Sequence, residues 1–72
     1  MRRQPVESSV IRTVGHDEGN NILEVEFRNG RIYHYYRVPL TAYEALIQAP
    51  SAGNYFNTEI RKRYRGARVR PG

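Results

Sequence analysis

The chain has 72 residues, no cysteine and a formal net charge of +5. A chain of this length forms at most one domain and buries only about 60% of the surface of its unfolded form, while the lack of cysteine excludes a disulfide framework and a thiolate zinc site. Because no apolar run has the length of a signal peptide or a membrane span, the sequence predicts a soluble, cytoplasmic protein without membrane contact.

The positive charge is concentrated near the C-terminus. Residues 1–60 contain six arginines and seven carboxylates, whereas the basic segment, residues 61–72 (RKRYRGARVRPG), contains six basic residues and no acidic residue. The sequence therefore predicts three parts: an N-terminal extension over residues 1–5, a single domain over residues 6–64, and a basic, flexible tail over residues 65–72.

Alternating apolar residues predict the strands. The first strand lies in SVIRTVGH (9–16) and is followed by the turn-forming residues DEGNN. The next, NILEVEFRNG, alternates apolar and charged side chains and ends in Asn29-Gly30, a strong hairpin signal. Its partner is RIYHYYRV, so the pattern predicts a three-stranded antiparallel meander.

Two registers are open to this hairpin. A two-residue Asn-Gly turn pairs Val25 with His34 and turns Tyr33 and Tyr35 away from the apolar stripe. A three-residue loop over 28–30 shifts the pairing by one residue and places both tyrosines on the apolar side. Turn chemistry favours the two-residue turn, and the sequence expectation follows it.

The sequence after Pro39 predicts a helix over residues 42–49. Thr41 and Glu44 match a capping box, and Pro50 forbids continuation. The apolar residues of this helix share one face: Tyr43, Leu46 and Ile47.

A second helical segment is predicted after Pro50, with Ser51 as its cap and apolar residues four apart at Phe56, Ile60 and Tyr64. The predicted fold class is α+β, a three-stranded antiparallel meander packed against one or two short C-terminal helices.

The order of several short motifs resembles the KTSC domain. These are VxSSVI, LEVEFxNG, the central YHY, VP before a short helix, and SAGNYFNxxIRxRY, which together span about residues 6 to 64. This family occurs at the C-terminus of some lysyl-tRNA synthetases and as small stand-alone bacterial proteins. The resemblance implies a domain of unknown activity for which RNA binding has been suggested. The matching positions are Tyr33, Tyr35, Ser51, Gly53, Tyr55, Phe56, Asn57, Ile60, Arg61 and Tyr64.

The basic segment is the first candidate for a binding site. Arginine binds phosphate through two parallel hydrogen bonds and needs no sequence readout to do so. The candidate nucleic-acid-binding residues are Arg61, Lys62, Arg63, Tyr64, Arg65, Arg68 and Arg70. The alternatives are ion pairs from these residues to Glu24 and Glu26, or a solubilising end with no specific role.

Tyr33 and Tyr35 form a second, less favoured candidate, because exposed aromatic side chains on a sheet can stack on bases. In the two-residue register they lie opposite Glu26 and Glu24, whose charges repel phosphates. Tyrosine is also an ordinary strand residue that covers apolar surface. The sequence therefore favours the basic segment.

Catalytic and metal chemistry find little support. His16 and His34 are the only side chains that titrate near neutrality, and no third group is suggested that would orient either histidine toward Ser8 or Ser9. These serines are interpreted as part of a turn or strand edge. Spacing suitable for a metal site and a glycine-rich phosphate loop are both missing, so no catalytic residue, metal, cofactor or small-molecule substrate is expected.

The sequence thus predicts a non-enzymatic binding module whose partner is nucleic acid, RNA more than DNA. The rival prediction is a module for protein-protein interaction or homodimerisation. It would use the sheet edges, the face with Tyr33 and Tyr35, or the surface beside Tyr55 and Phe56. Asn57 is expected to fix backbone groups near a helix start rather than to contact a ligand.

Overall fold

One antiparallel sheet of five strands forms the framework of the protein. A computed structural model describes residues 3–69, and the strands lie side by side in chain order. The α+β class is confirmed, but the expectation of three strands is wrong. The strands are β1 (Arg3–Pro5), β2 (Ile11–Asp17), β3 (Ile22–Phe27), β4 (Ile32–Tyr35) and β5 (Gly66–Val69).

The two additional strands are the edges of the sheet. β1 pairs with β2 and β5 pairs with β4. Their sequences, RQP and GARV, are too short and too polar to show a strand pattern. The segment predicted as a flexible tail therefore contributes a strand. Arg70, a predicted nucleic-acid contact, lies outside the described residues.

The turn between β2 and β3 is formed as predicted. The Asp17 carboxylate accepts hydrogen bonds from the backbone N–H of Gly19 (3.1 Å) and Asn20 (3.3 Å) and from the Asn20 side chain (2.9 Å). Asn21 has a φ of 53°, a left-handed conformation that asparagine tolerates better than most residues. These contacts reverse the chain between the two longest strands.

The turn between β3 and β4 corrects the predicted register. Phe27 N–H donates to the Arg31 carbonyl (2.8 Å) and Gly30 N–H donates to the Phe27 carbonyl (2.9 Å). These bonds close a three-residue loop over 28–30, and Gly30 has the left-handed φ of 89° that this loop needs. The pairs are Val25 with Tyr33 and Leu23 with Tyr35, so the preference for a two-residue turn is wrong.

Packing of the tyrosine side chains explains this outcome. Tyr35 is only 7% exposed and its ring packs edge to face on Phe56, with 5.2 Å between ring centroids. Tyr33 packs in the same way on Phe27 at 5.6 Å. Buried aromatic side chains dominate the energetics of a core, so tertiary packing overrides the local preference of the turn.

Helix α1 (Leu40–Gln48) begins two residues earlier than predicted. The Pro39 carbonyl accepts the N–H groups of Ala42 (3.0 Å) and Tyr43 (3.3 Å), and no side chain caps the helix. The predicted capping box is wrong because Thr41 lies inside the first turn instead of at the cap. The predicted apolar face is confirmed, since Leu46 is buried and its neighbours Tyr43 and Ile47 pack against the core.

Helix α2 (Ala52–Tyr55) continues into a π-helical segment, Phe56–Ile60. The Ser51 hydroxyl accepts the Asn54 N–H (3.2 Å), which confirms the predicted cap. At the other end, Arg61 N–H donates to the Phe56 carbonyl (2.8 Å), the five-residue spacing that defines a π-helix.

The helices cover one face of the sheet, which we call the covered face; within residues 3–69 no second layer lies on the other face, which we call the open face. The core lies between the covered face and the helices, and it consists of Ile11, Val14, Leu23, Val25, Tyr35, Val38, Leu46, Ala52, Phe56 and Ile60. No helix in residues 3–69 is long and apolar enough to span a membrane.

Gly66 allows β5 to pair with β4 while the Tyr35 ring lies against the backbone of β5. It pairs with Tyr35, and a Cβ atom at this position would lie 2.4 Å from a carbon of the Tyr35 ring. Only glycine leaves room for the ring to lie against the backbone of β5. The buried position of Tyr35 thus depends on a residue in the segment that sequence analysis treated as a tail.

Candidate nucleic-acid interface

An open groove lies on the covered face, between the β3–β4 hairpin and the π-helical segment. We call it the aromatic groove; its volume is about 300 Å³, near the lower end of small-ligand pockets. Its lining residues are Val10, Phe27, Asn29, Arg31, Tyr33, Tyr35, Phe56, Asn57 and Arg61.

Aromatic contacts fix the floor of the groove. Tyr33 is partly exposed; its ring is held edge to face against Phe27 and lies nearly parallel to that of Tyr35, with 6.3 Å between the two centroids. Phe56 closes the floor by packing against both Phe27 and Tyr35. The Tyr33 ring is therefore held in place before any ligand arrives.

The π-helical segment supplies the polar wall of the groove. Its buried residues Phe56 and Ile60 anchor it to the core, and the residues that follow each of them, Asn57 and Arg61, line the groove. Within residues 3–69 the Asn57 side chain makes no hydrogen bond. The predicted backbone-fixing role of Asn57 is therefore wrong, and its amide is accessible to a ligand.

The two strand carboxylates lie on the open face, away from the groove. Glu24 pairs with Arg3 and with His34, whose Nε2 atom is 2.9 Å from Glu24 Oε1. Glu26 accepts a hydrogen bond from the Thr13 hydroxyl (3.0 Å) and has Arg3 Nη1 at 3.7 Å. Because these partners come from β1, β2 and β4, the alternative in which the basic segment pairs with the two carboxylates is wrong for the described residues.

The ionisation of the carboxylate at the centre of this network follows from its contacts. Burial raises the pKa of Glu24, but the hydrogen bonds and charges of His34 and Arg3 outweigh burial, so the pKa lies below its usual value. On the covered face, burial raises the pKa of the Tyr35 hydroxyl, and the nearby positive charge of Arg61 partly opposes that rise.

The basic segment divides between several places. Arg61 lines the aromatic groove, and Arg68 lies opposite Tyr33 in the β4–β5 pairing, on the same face. Both are exposed, as is Lys62, which lines neither the groove nor the cleft described next. The structure therefore brings part of the basic segment together with the tyrosine pair, two features that sequence analysis treated as competing candidates.

The other basic residues line a second concavity, which we call the Arg37 cleft. It has a volume of about 360 Å³ and is lined by Tyr36, Arg37, Arg63, Tyr64 and Arg65. Tyr36 is 40% exposed, an unusual value for a large aromatic residue in this protein.

Several lining residues were not predicted from the sequence. Arg31 pairs with Phe27 across the hairpin loop and so lies on the covered face; the three-residue loop would have indicated this position. Tyr36 and Arg37 follow the end of β4 and meet the basic segment only through tertiary structure, for which the sequence carries no local signal. Of the two predicted tyrosines, Tyr33 is accessible and Tyr35 forms the buried floor.

The serines and histidines have structural contacts. The Ser8 hydroxyl accepts the N–H groups of Val10 (3.1 Å) and Ile11 (3.2 Å), which confirms the interpretation as a turn. His16 Nε2 donates to the Val38 carbonyl (2.6 Å) and its ring stacks on Tyr43. Within the described chain, neither histidine is hydrogen bonded to a serine and no three metal-ligating side chains cluster.

Relatives share most of this chain. An uncharacterised protein of Stutzerimonas stutzeri is 44% identical over 57 residues, which cover 79% of this chain and 80% of the relative. A lysine–tRNA ligase of Nostoc is 39% identical over 59 residues, which cover 82% of this chain but only 10% of the ligase.

A solved structure shows the same architecture. The crystal structure of a KTSC domain protein from Yersinia pestis superimposes with a TM-score of 0.91 at 35% identity, covering 96% of this chain and 97% of that protein. The family model described as the KTSC domain matches residues 7–64, which include both β-hairpin strands and the π-helical segment. The resemblance seen in the sequence is confirmed, and this chain belongs to the KTSC domain family.

Proposed function

We infer that this protein is a non-enzymatic module that binds single-stranded nucleic acid, RNA in preference to DNA, in the aromatic groove. One observation carries the inference: a fixed, partly exposed Tyr33 ring and the Arg61 guanidinium share one groove, and no carboxylate lines it among the described residues.

The shape of the groove suits an unpaired base. Bases in a duplex are stacked inside the helix, whereas a single strand can turn a base outward onto an aromatic side chain. Stacking of this kind is worth about 1–3 kcal/mol per base. The Tyr33 ring is held by Phe27, so little conformational freedom is lost when a base stacks on it.

The charges around the groove suit the sugar-phosphate backbone. Arg61 and Arg31 line it, and Arg68 lies beside Tyr33 at the edge strand. The side-chain amide of Asn57 can donate and accept hydrogen bonds, as the ribose 2′-hydroxyl can. This match is the reason for proposing RNA before DNA.

The relatives are consistent with an RNA partner. A lysine–tRNA ligase acts on an RNA, and in the Nostoc enzyme a segment like this chain makes up a tenth of the length. A small domain attached to an RNA-dependent enzyme is suited to adding affinity for the RNA.

The test is a salt titration of binding to a labelled single-stranded RNA, followed by fluorescence anisotropy. Arg61→Gln should flatten the slope of log affinity against log salt by about 0.7, because one phosphate contact is lost. Tyr33→Leu keeps an apolar side chain against Phe27 but removes the stacking face, so it should weaken binding without changing the slope. The matched control is Arg12→Gln, an exposed arginine that lines neither concavity.

Three results would contradict the proposal or a part of it. Wild-type protein that binds no RNA at low salt would remove its basis. Equal weakening by Arg12→Gln and Arg61→Gln would show that only the net charge matters. Matched DNA and RNA strands that bind equally well would remove the preference for RNA.

A second candidate function is homodimerisation or binding of another protein. Both edge strands, β1 and β5, present backbone groups with no partner strand among the described residues, and Val10 is 49% exposed at the rim of the groove. Light scattering across protein concentration and salt tests this candidate. A dimer that persists at high salt would support it, since an interface of apolar and backbone contacts responds weakly to ionic strength.

A further inference from the structure

The Arg37 cleft lies beyond the C-terminal end of β4, and the hairpin loop lies at the other end of this strand. Its three arginines come from two parts of the chain: Arg37 follows β4, whereas Arg63 and Arg65 both lie between the π-helical segment and β5. Tyr36 and Tyr64 complete the lining, and no carboxylate lines the cleft among the described residues. Tertiary structure thus brings Arg37 to two arginines of the basic segment that are distant from it in sequence.

The charges in the cleft are poorly neutralised. Arg63 lies 3.5 Å from Glu59, but the two side chains are 68% and 42% exposed, so this is a weak surface pair. Arg37 and Arg65 have no ion-pair partner within residues 3–69. Positive charges held close together repel one another in the free protein. A ligand with negative charge would relieve this repulsion.

The backbone of Arg37 is also unfavourable. Its φ is 59°, in the left-handed region that side chains other than glycine, asparagine and aspartate rarely adopt. The flanking residues hold it there, because Tyr36 N–H donates to the Arg65 carbonyl (2.9 Å) and Val38 N–H to the Asn21 carbonyl (2.8 Å). Backbone strain of this kind is concentrated at binding sites.

We propose that the Arg37 cleft binds a phosphate of the same RNA strand whose base lies in the aromatic groove. The guanidinium groups supply paired donors in the geometry that phosphate oxygens accept. Tyr33 in the groove and Tyr36 in the cleft are three residues apart, about 10 Å along an extended chain, and strand alternation turns them toward opposite faces. An RNA strand that contacts both therefore passes around the end of β4. This inference rests on the proposed function and extends it from one base to such a strand.

The test compares the mononucleotide AMP with oligoadenylates of increasing length, using two variants of the cleft. Arg37→Gly and Arg65→Gln should each flatten the salt slope for the longer strands by about 0.7. Both variants should leave AMP affinity unchanged, because AMP occupies only the groove. Arg37→Gly should melt at or above the wild-type temperature, since glycine adopts a positive φ without strain. Arg12→Gln is the control for loss of one charge.

The outcomes separate this inference from the proposed function. If Tyr33→Leu and Arg61→Gln weaken binding while both cleft variants keep the wild-type slope at every length, the groove stands and the cleft proposal is overturned. If wild-type protein binds no RNA, both fail.

Inorganic phosphate tests whether the Arg37 cleft binds a free phosphate ion instead of a phosphate of an RNA strand. In Arg61→Gln protein, NMR signals of the Arg37 and Arg65 Nε–H groups should shift only weakly with inorganic phosphate and strongly with a long oligoadenylate. Saturation by inorganic phosphate, with no gain from the longer strand, would identify a free phosphate site and overturn the assignment to a strand.

Discussion

Charged side chains are paired on one face of the sheet and largely unpaired on the other. On the open face, Glu24 and Glu26 meet Arg3, and the network ends at His34 and Thr13. On the covered face and just beyond β4, arginines lie beside tyrosines, and no carboxylate lines the groove or the cleft among the described residues.

This difference separates charges that stabilise the fold from charges that await a ligand. A paired, partly buried carboxylate contributes to folding, whereas an exposed arginine without a partner contributes little stability and much electrostatic potential. The register of one hairpin decides the difference. A shift of one residue would place the tyrosines among the carboxylates and remove the groove.

The largest expected effect tests which face holds Tyr35. Replacing Tyr35 by Ala removes a ring that is 7% exposed and should cost about 3–5 kcal/mol of unfolding free energy, enough to unfold much of a small domain. Replacing its neighbour Tyr36, which is 40% exposed, should cost far less. Urea denaturation measures both; a larger cost for Tyr36 than for Tyr35 would point to the other register.

A smaller effect is expected where β5 meets the covered face. Gly66→Ala would place a Cβ atom 2.4 Å from the Tyr35 ring, which is packed on Phe56 and cannot move freely. We expect a loss of about 1–3 kcal/mol from overpacking. Ala67→Ser, on the exposed side of the same strand, is the control. Equal melting temperatures for the two variants would show that the ring does not lie on Gly66.

The open face should be sensitive to acid. Because the pKa of Glu24 is lowered in the folded protein, the stabilisation is present above its ordinary value of 4.5 and is lost as the pH falls through the lowered value. Glu24→Gln should therefore weaken the fall in urea midpoint on acidification. Glu44→Gln, an exposed residue of α1, should leave that dependence unchanged. A pH dependence identical in all three proteins would argue against the network.

The smallest effects distinguish the arginines of the two faces. Arg3→Ala breaks the contacts with Glu24 and Glu26 and should cost up to about 1 kcal/mol, since the Arg3 side chain is 38% exposed. It should leave RNA binding nearly unchanged. Arg68→Ala should do the reverse, with unchanged melting and a flatter salt slope. If the two variants exchange these effects, the division between the faces is wrong.

Strong local patterns allowed much of the fold to be predicted. The alternation of β3, the turn before it and the apolar face of α1 all depend on residues close in sequence. The register of the β3–β4 hairpin depends on Phe56, a residue of a distant segment that packs on Tyr35. Local turn chemistry could not supply that contact.

The candidate site was predictable only in its components. Tyr33, Arg61 and Arg68 were identified individually, but their proximity depends on the register and on β5. A helical segment after Pro50 was predicted from the spacing of Phe56 and Ile60, but its π-helical geometry was not, and Asn57 and Thr58 are poor helix formers. The wall that it forms was therefore missed.

The position of β5 also bears on how the protein folds and opens. The neighbouring strands β2, β3 and β4 are joined by short turns, whereas residues 36–65, including both helices, separate β4 from β5. Closing this longer loop costs more chain entropy, and β5 gains only one partner strand in return. Local unfolding should therefore release β5 before β2, β3 and β4, carrying Arg68 away from Tyr33 and exposing the edge of β4 to a β5 strand from another copy.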